Sequence, residues 1–302
     1  MSSSINKVLV LGASGNVGRS TLKALLEEQF VVSGLTRESS KATLPTGVKH
    51  LKSDYTSTSL IEAFKGQDAV ISTLSSLLPG DALSLQTTFI NAAITAGVKI
   101  FVPSEFGIDT SDHAAAEVIP FLADKIKTLD YLKANEDSIS WISVVSGSMF
   151  DWGFNIPSMG GWDLGARTVT IFDGGDIPFE AMNLDQVGRA IARSLKKPNI
   201  TKNQYVYVNS FTATQNQVLA ALERATGDKF TVSHSTVDEL WNSGAAKVKE
   251  GQPFGTLAQI SAAIYGKGGL ANYSVSRGLW NHKIGLEQEN LDEAVDAIVV
   301  GK

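Results

Sequence analysis

Along the first half of the chain, short β-branched runs alternate with stretches of helical periodicity. Lys7-Val8-Leu9-Val10-Leu11 reads as a buried strand, and residues 16–28 read as the helix that follows it. Residues 30–35, 48–51, 68–72, 98–102 and 141–145 read as further strands. Helical stretches fall at 60–64, 82–96 and 117–135, with Gly97 placed to cap the second of them. Strands separated by helices require crossover connections and therefore a parallel sheet. Their nearly continuous apolar character implies that both sheet faces are covered.

The second half has a different texture. Residues 150–180 carry Phe, Trp, Met and Gly in close succession, and short helices are expected at 185–195, 214–225, 236–248 and 291–299, with a strand at 205–208. This is too irregular for another sheet-and-helix repeat, and predicts a smaller lobe over the end of the sheet. The fold class expected is α/β: a Rossmann-type doubly wound parallel sheet with a smaller α+β substrate lobe. Residues 1–150 are expected to form the dinucleotide-binding domain and 151–302 the substrate lobe, interleaved with the first.

The first strand runs directly into Gly12-Ala13-Ser14-Gly15-Asn16-Val17-Gly18, and a helix follows. In that context one glycine allows the tight turn, one lets the backbone approach a pyrophosphate, and one lets the helix pack on the strand. The free N–H groups and positive dipole end of the helix then face the phosphates. Gly12, Ser14, Gly15, Asn16, Val17 and Gly18 are the candidate cradle.

The second strand continues into Leu35-Thr36-Arg37, with no Asp or Glu at the place that normally holds the ribose hydroxyls of NAD. Arg37 can hold a 2′-phosphate by a charge-assisted pair, which points to NADPH. The adjacent Glu38 works against that choice. Lys41 either adds to the phosphate site or is a solvated loop cation. Asp54 either accepts from an adenine amino group or caps the following turn. Ser72 and Thr73 follow the fourth strand, where they either run along the cofactor or form a local turn.

Composition narrows the remaining classes. The chain has 302 residues, 43% of them hydrophobic and 19% charged, as expected for a folded globular protein with a substantial core. No apolar run approaches the ~20 residues of a bilayer span, and no signal peptide is read at the N-terminus, so no membrane is expected. A net charge of −5 offers no basic footprint for nucleic acid. There are no cysteines, which fits a reducing compartment such as the cytoplasm. The four histidines, at 50, 113, 234 and 282, are not spaced as metal ligands, so no metal is expected.

Four stretches together resemble the isoflavone reductase-like, or NmrA-like, branch of atypical short-chain dehydrogenases. They are Gly12 to Arg19; Phe101-Val102-Pro103-Ser104-Glu105-Phe106-Gly107; the helix holding Lys125; and Val144-Val145-Ser146-Gly147-Ser148-Met149-Phe150. The resemblance is clear to about residue 195 and looser beyond. It implies NADPH-dependent reduction of a small aromatic or enone-type compound. Ordinary short-chain dehydrogenases use Tyr-x-x-x-Lys on this helix; here the position four before Lys125 is Phe121. The resembled family shares that absence and keeps the lysine.

By pattern alone Lys125 is a surface lysine; the resemblance makes it the catalytic candidate. It would anchor the nicotinamide ribose, act as acid or base, or stabilise developing negative charge. The resemblance also puts Phe150 against the nicotinamide, with the small-lobe core as its other reading. Phe150, Trp152, Phe154 and Met159 suit a flat aromatic substrate, and equally suit the core of the lobe. A homodimer is compatible with all of this. The alternative function is an NmrA-like redox sensor that binds NAD(P) without turnover and acts through a protein partner. The missing tyrosine fits either function; a deep apolar pocket above the nicotinamide would count against the sensor.

Overall fold

A computed structural model describes residues 4–75, 82–156 and 159–301. The first half builds β1 (Lys7–Leu11), α1 (Asn16–Glu27), β2 (Val31–Arg37), β3 (Val48–Ser53), α2 (Ser57–Phe64), β4 (Ala69–Ser72), α3 (Ala82–Thr95) and β5 (Ile100–Val102). Then come α4 (Ala115–Val118), α5 (Ala123–Lys133) and β6 (Ser140–Val145). With the strand Gln204–Tyr207, these strands form a seven-stranded sheet, all of whose neighbours run parallel. Starting from Gln204–Tyr207, the order is β6-β5-β4-β1-β2-β3. The fold is the expected α/β one, a Rossmann-type doubly wound parallel sheet.

The central strands sit where the apolar runs predicted because those runs are enclosed, while the edge strand β3 is largely exposed or half-buried. Val8, Leu9, Val10 and Leu11 of β1 have no exposed surface, and neither do Ala69, Val70 and Ile71 of β4. Burying each large side chain of this kind contributes roughly 1.5–3 kcal/mol. Helices cover both faces, with α1 and Leu184–Lys196 packed together on one of them. The chain winds outward one way from β1 through β2 to β3 and the other way through β4 to β6. The crevice at the carboxyl ends of β1 and β4 is therefore the topological switch point, where open α/β sheets bind ligands.

Three readings of the pattern differ from the structure. The helix expected over 117–135 is split. Pro120 lacks an N–H and opens a 3-10 turn, Pro120–Leu122, so that α5 starts only at Ala123. The strand expected at 205–208 does not belong to a separate lobe; Gln204–Tyr207 pairs in parallel with β6 and extends the main sheet. The helix Gly255–Ile264 was not anticipated at all. The small lobe otherwise holds two three-stranded sheets, one of Phe211–Ala213, Phe179–Met182 and Ser148–Met149, the other of Thr231–Ser235, Thr168–Phe172 and Trp162–Asp163. Its core is separate from that of the sheet. Among the described residues no helix is long and apolar enough to cross a membrane, and no group of His, Asp or Glu side chains is arranged to hold a metal ion.

Candidate active site

A cleft of about 580 Å³ opens at the switch point and runs from the glycine turn, past Lys125, to the small lobe. Its first end is made of backbone. Gly12, Ser14, Gly15, Asn16 and Val17 line it. Gly12 has φ +74°, and a Cβ there would lie 2.9 Å from Thr73 Oγ1. No side chain caps α1, which leaves its first N–H groups directed at the cleft. Gly18 is not in the wall. It lets α1 close on β1: a Cβ at that position would come within 2.3 Å of the Gly12 carbonyl oxygen.

Arg37 stands exposed at the rim, beside Thr36, Ser39 and Ser40. Tyr55 completes this end. It holds an unusual positive φ of 66°, and its ring lies edge-on to Phe89 at 5.4 Å. Burial pushes its hydroxyl above the ordinary tyrosine value, and the positive charge of Arg37 opposes that shift. Lys41 is exposed and does not line the cleft. Asp54 also lies outside it, accepting from the backbone N–H of Thr56 at 3.0 Å and from its hydroxyl at 2.8 Å, as a turn cap does. Those two bonds lower its pKa. Ser72 is fully buried and accepts from Gln86 Nε2 at 2.9 Å. Thr73 does face the cleft, with its hydroxyl donating to the Leu11 carbonyl at 2.7 Å.

Midway along the cleft sits Lys125. Its Nζ donates to the carbonyls of Ser104 at 2.7 Å and Glu105 at 3.1 Å, both just beyond β5. The side chain as a whole is half-buried, but the ammonium is desolvated. Burial therefore pulls the Lys125 pKa below the ordinary lysine value, while the charge of Glu105 acts in the opposite sense. Glu105 is itself buried and accepts from the Thr110 hydroxyl, which fixes the loop that carries the two carbonyls. Lys127, two residues on, is exposed. Phe121 lines the cleft one turn before Lys125, so the wall there is a ring without a hydroxyl.

The far end is apolar. Trp152 and Met159 line it with Phe106, Ile108 and Leu122, and with Leu257, Ile260 and Ile264 from the helix Gly255–Ile264. Phe150 and Phe154 do not line the main cleft. Phe150 is 4% exposed and packs edge-on against Phe154 at 5.1 Å and Phe211 at 5.0 Å, in the core of the small lobe. Sequence reasoning missed Tyr55 and the helix Gly255–Ile264. The helix had a signal, since apolar residues at 257, 260 and 264 form a stripe at spacings of three and four. Tyr55 had none: its place on the cleft depends on a left-handed backbone that the sequence does not mark.

Sheet order, glycine turn and switch-point cleft together define a Rossmann-type α/β protein. The chain belongs to the NmrA-like family, whose model matches residues 4–283. It is 33% identical to the oxidoreductase aprR of Aspergillus flavus, with 98% of this chain and 99% of that protein covered. It is 29% identical to the oxidoreductase poxI of Penicillium oxalicum, over 95% of this chain and 92% of that one. Among solved structures, AtPrR2 with NADP+ and (+)pinoresinol superposes with a TM-score of 0.81 at 22% identity, covering 98% of this chain and 99% of that one. The leucoanthocyanidin reductase–NADPH complex from Vitis vinifera gives a TM-score of 0.79 at 17% identity, covering 97% and 99%.

Proposed function

We propose that this protein is an NADPH-dependent oxidoreductase that reduces a small aromatic or enone-type substrate. The observation that carries the reading is the position of Lys125: a desolvated ammonium midway between an uncapped helix N-terminus and an apolar chamber. The residues fit the cofactor. The uncapped N-terminus of α1 and the glycine-rich turn suit a pyrophosphate, Arg37 at the rim suits a 2′-phosphate, and Tyr55 offers a ring face or edge to the adenine end. When bound, the reduced nicotinamide supplies the hydride. The names of the relatives, oxidoreductases and reductases, agree with this assignment.

In this reading residues 1–150 supply the cofactor half of the cleft and 151–302 most of the substrate half. Lys125 orients the ribose and nicotinamide, and its ammonium stabilises or protonates the oxygen on which negative charge develops. The Ser104 and Glu105 carbonyls aim the ammonium. Phe121 cannot take over the proton, because it carries none to give. Trp152, Met159 and the helix Gly255–Ile264 exclude water and hold a flat apolar substrate. The depth of that apolar end favours turnover over a sensor that binds the dinucleotide alone. The test is NADPH oxidation against a panel of enones, isoflavones and lignan-type compounds. Turnover that requires Lys125 supports the reading; tight NADPH binding with no turnover on any of them would return the sensor.

A further inference from the structure

Behind the apolar end of the cleft lies a second, smaller cavity of about 30 Å³. The two share Ser148, Met159 and Ile264 in their walls. The inner cavity is aromatic, lined by Phe150, Phe154, Trp162, Phe179 and Tyr265. Ser148 belongs to a paired strand and Ile264 to a packed helix, so of the three partition residues Met159 is the one with a long, adaptable side chain. Its sulfur would lie 3.8 Å from a Cβ at Gly153, so the thioether occupies the gap beside the Trp152 turn.

The backbone that carries Met159 is held firmly. The N–H of Gly160 donates to Ser261 Oγ at 3.2 Å. The Tyr265 hydroxyl donates to the Gly160 carbonyl at 3.2 Å and accepts from Trp162 Nε1 at 3.0 Å. Phe172 stacks with the Tyr265 ring at 5.8 Å. The frame of the inner chamber is thus fixed by buried hydrogen bonds and stacked rings, and the partition across its mouth is a flexible thioether.

We propose that the inner cavity, which by itself is smaller than an aromatic ring, joins the space vacated by the Met159 thioether as a subsite for a second apolar ring of a ligand, and that Met159 sets the depth to which the cleft admits it. This rests on the small lobe being the substrate end of the cleft. A one-ring ligand is held in front of Met159; a two-ring ligand, extended in line, needs the thioether to swing aside. The lining is mostly rings and aliphatic carbon: the polar atoms of Tyr265 and Trp162 are paired to each other and the Ser261 hydroxyl is held by Gly160 and Leu257, which leaves the Ser148 hydroxyl at the mouth, so the subsite takes a neutral ring.

The test is equilibrium binding of phenol and 4-phenylphenol by calorimetry, with NADPH present. Truncation in Met159→Ala joins the two cavities and is expected to tighten 4-phenylphenol about tenfold relative to phenol, a gain of ~1.4 kcal/mol in selectivity. Met159→Phe blocks the mouth and is expected to shift selectivity the other way; it carries the test if the alanine variant fails to fold. Equal changes for the two ligands in the folded variants would overturn the proposal. Because binding is read without turnover, a selective shift in a protein that oxidises no NADPH would uphold the subsite while refuting the reductase, and turnover without a selective shift would do the reverse.

Discussion

The two ends of the cleft are built on different principles. The glycine end comes from one contiguous turn, with Arg37, Tyr55 and Thr73 added from the next strand ends, and its recognition groups are largely backbone N–H. The apolar end is assembled from segments near 106, 121, 152, 159 and 260, and its wall is mostly apolar side chains. A phosphate site needs backbone geometry and small residues, so any sequence that forms the turn forms the site. An aromatic pocket needs only filled volume and excluded water, which many side chains provide. The first end is therefore constrained by backbone geometry, and the second only by the volume its side chains fill. Lys125 stands at the junction of the two.

The sharpest way to break this comparison is at the junction. Lys125→Ala is expected to lower kcat by roughly a hundred- to ten-thousand-fold while leaving NADPH affinity nearly unchanged, checked by steady-state kinetics beside calorimetry. Unchanged turnover would remove Lys125 from the chemistry. Its charge carries a pH signature as well. Because burial lowers the Lys125 pKa, the protonated form is lost before the ordinary lysine range is reached. The rate should thus fall as pH rises through that lowered value, and Lys125→Arg, always charged, should remove this limb of the profile. The stability contribution has the matching sign. The folded state disfavours the charged form, so the penalty is full below the lowered pKa and is relieved as pH climbs toward the ordinary one.

Next in size is Phe150→Ala. As a core ring against Phe154 and Phe211, its loss should cost about 3–5 kcal/mol in denaturant unfolding, with NADPH affinity little changed in whatever fraction folds. A large loss of affinity with full stability would instead put Phe150 against the nicotinamide. Smaller again is Arg37→Ala, expected to weaken NADPH by about 1.5–3 kcal/mol while leaving NADH alone. Equal losses for both would make Arg37 a general cation of the rim. The smallest effect is expected from Asp54→Ala: lost turn capping should lower Tm slightly, with no change in NADPH affinity. A clear drop in affinity would restore the adenine contact.

How much of the site could be read from the sequence follows the same division. The strand–glycine–helix pattern located the turn, because three glycines at spacings of three have few other uses between a buried strand and a helix. Pattern alone did not pick out Lys125. A lysine on a helix is ordinarily solvated, and only likeness to a family singled it out; the two carbonyls that aim it lie about twenty residues upstream, on another element. Phe150, Trp152 and Phe154 are spaced by two, which in an extended segment would put all three on one side. The backbone is instead a short helix, Phe150–Gly153, and it turns Trp152 to the cleft and Phe150 to the core.

By itself the sequence determined the sheet, its parallel winding and the glycine turn, because each rests on local periodicity and on backbone freedom written into single residues. Only the tertiary structure decided that Gln204–Tyr207 closes the sheet edge, that Asp54 caps a turn, that Tyr55 reaches the cleft, and that the helix Gly255–Ile264 walls its far end. Each of those depends on which distant surfaces meet. Apolar side chains carry no address for their partners, because the attraction that buries them is non-directional.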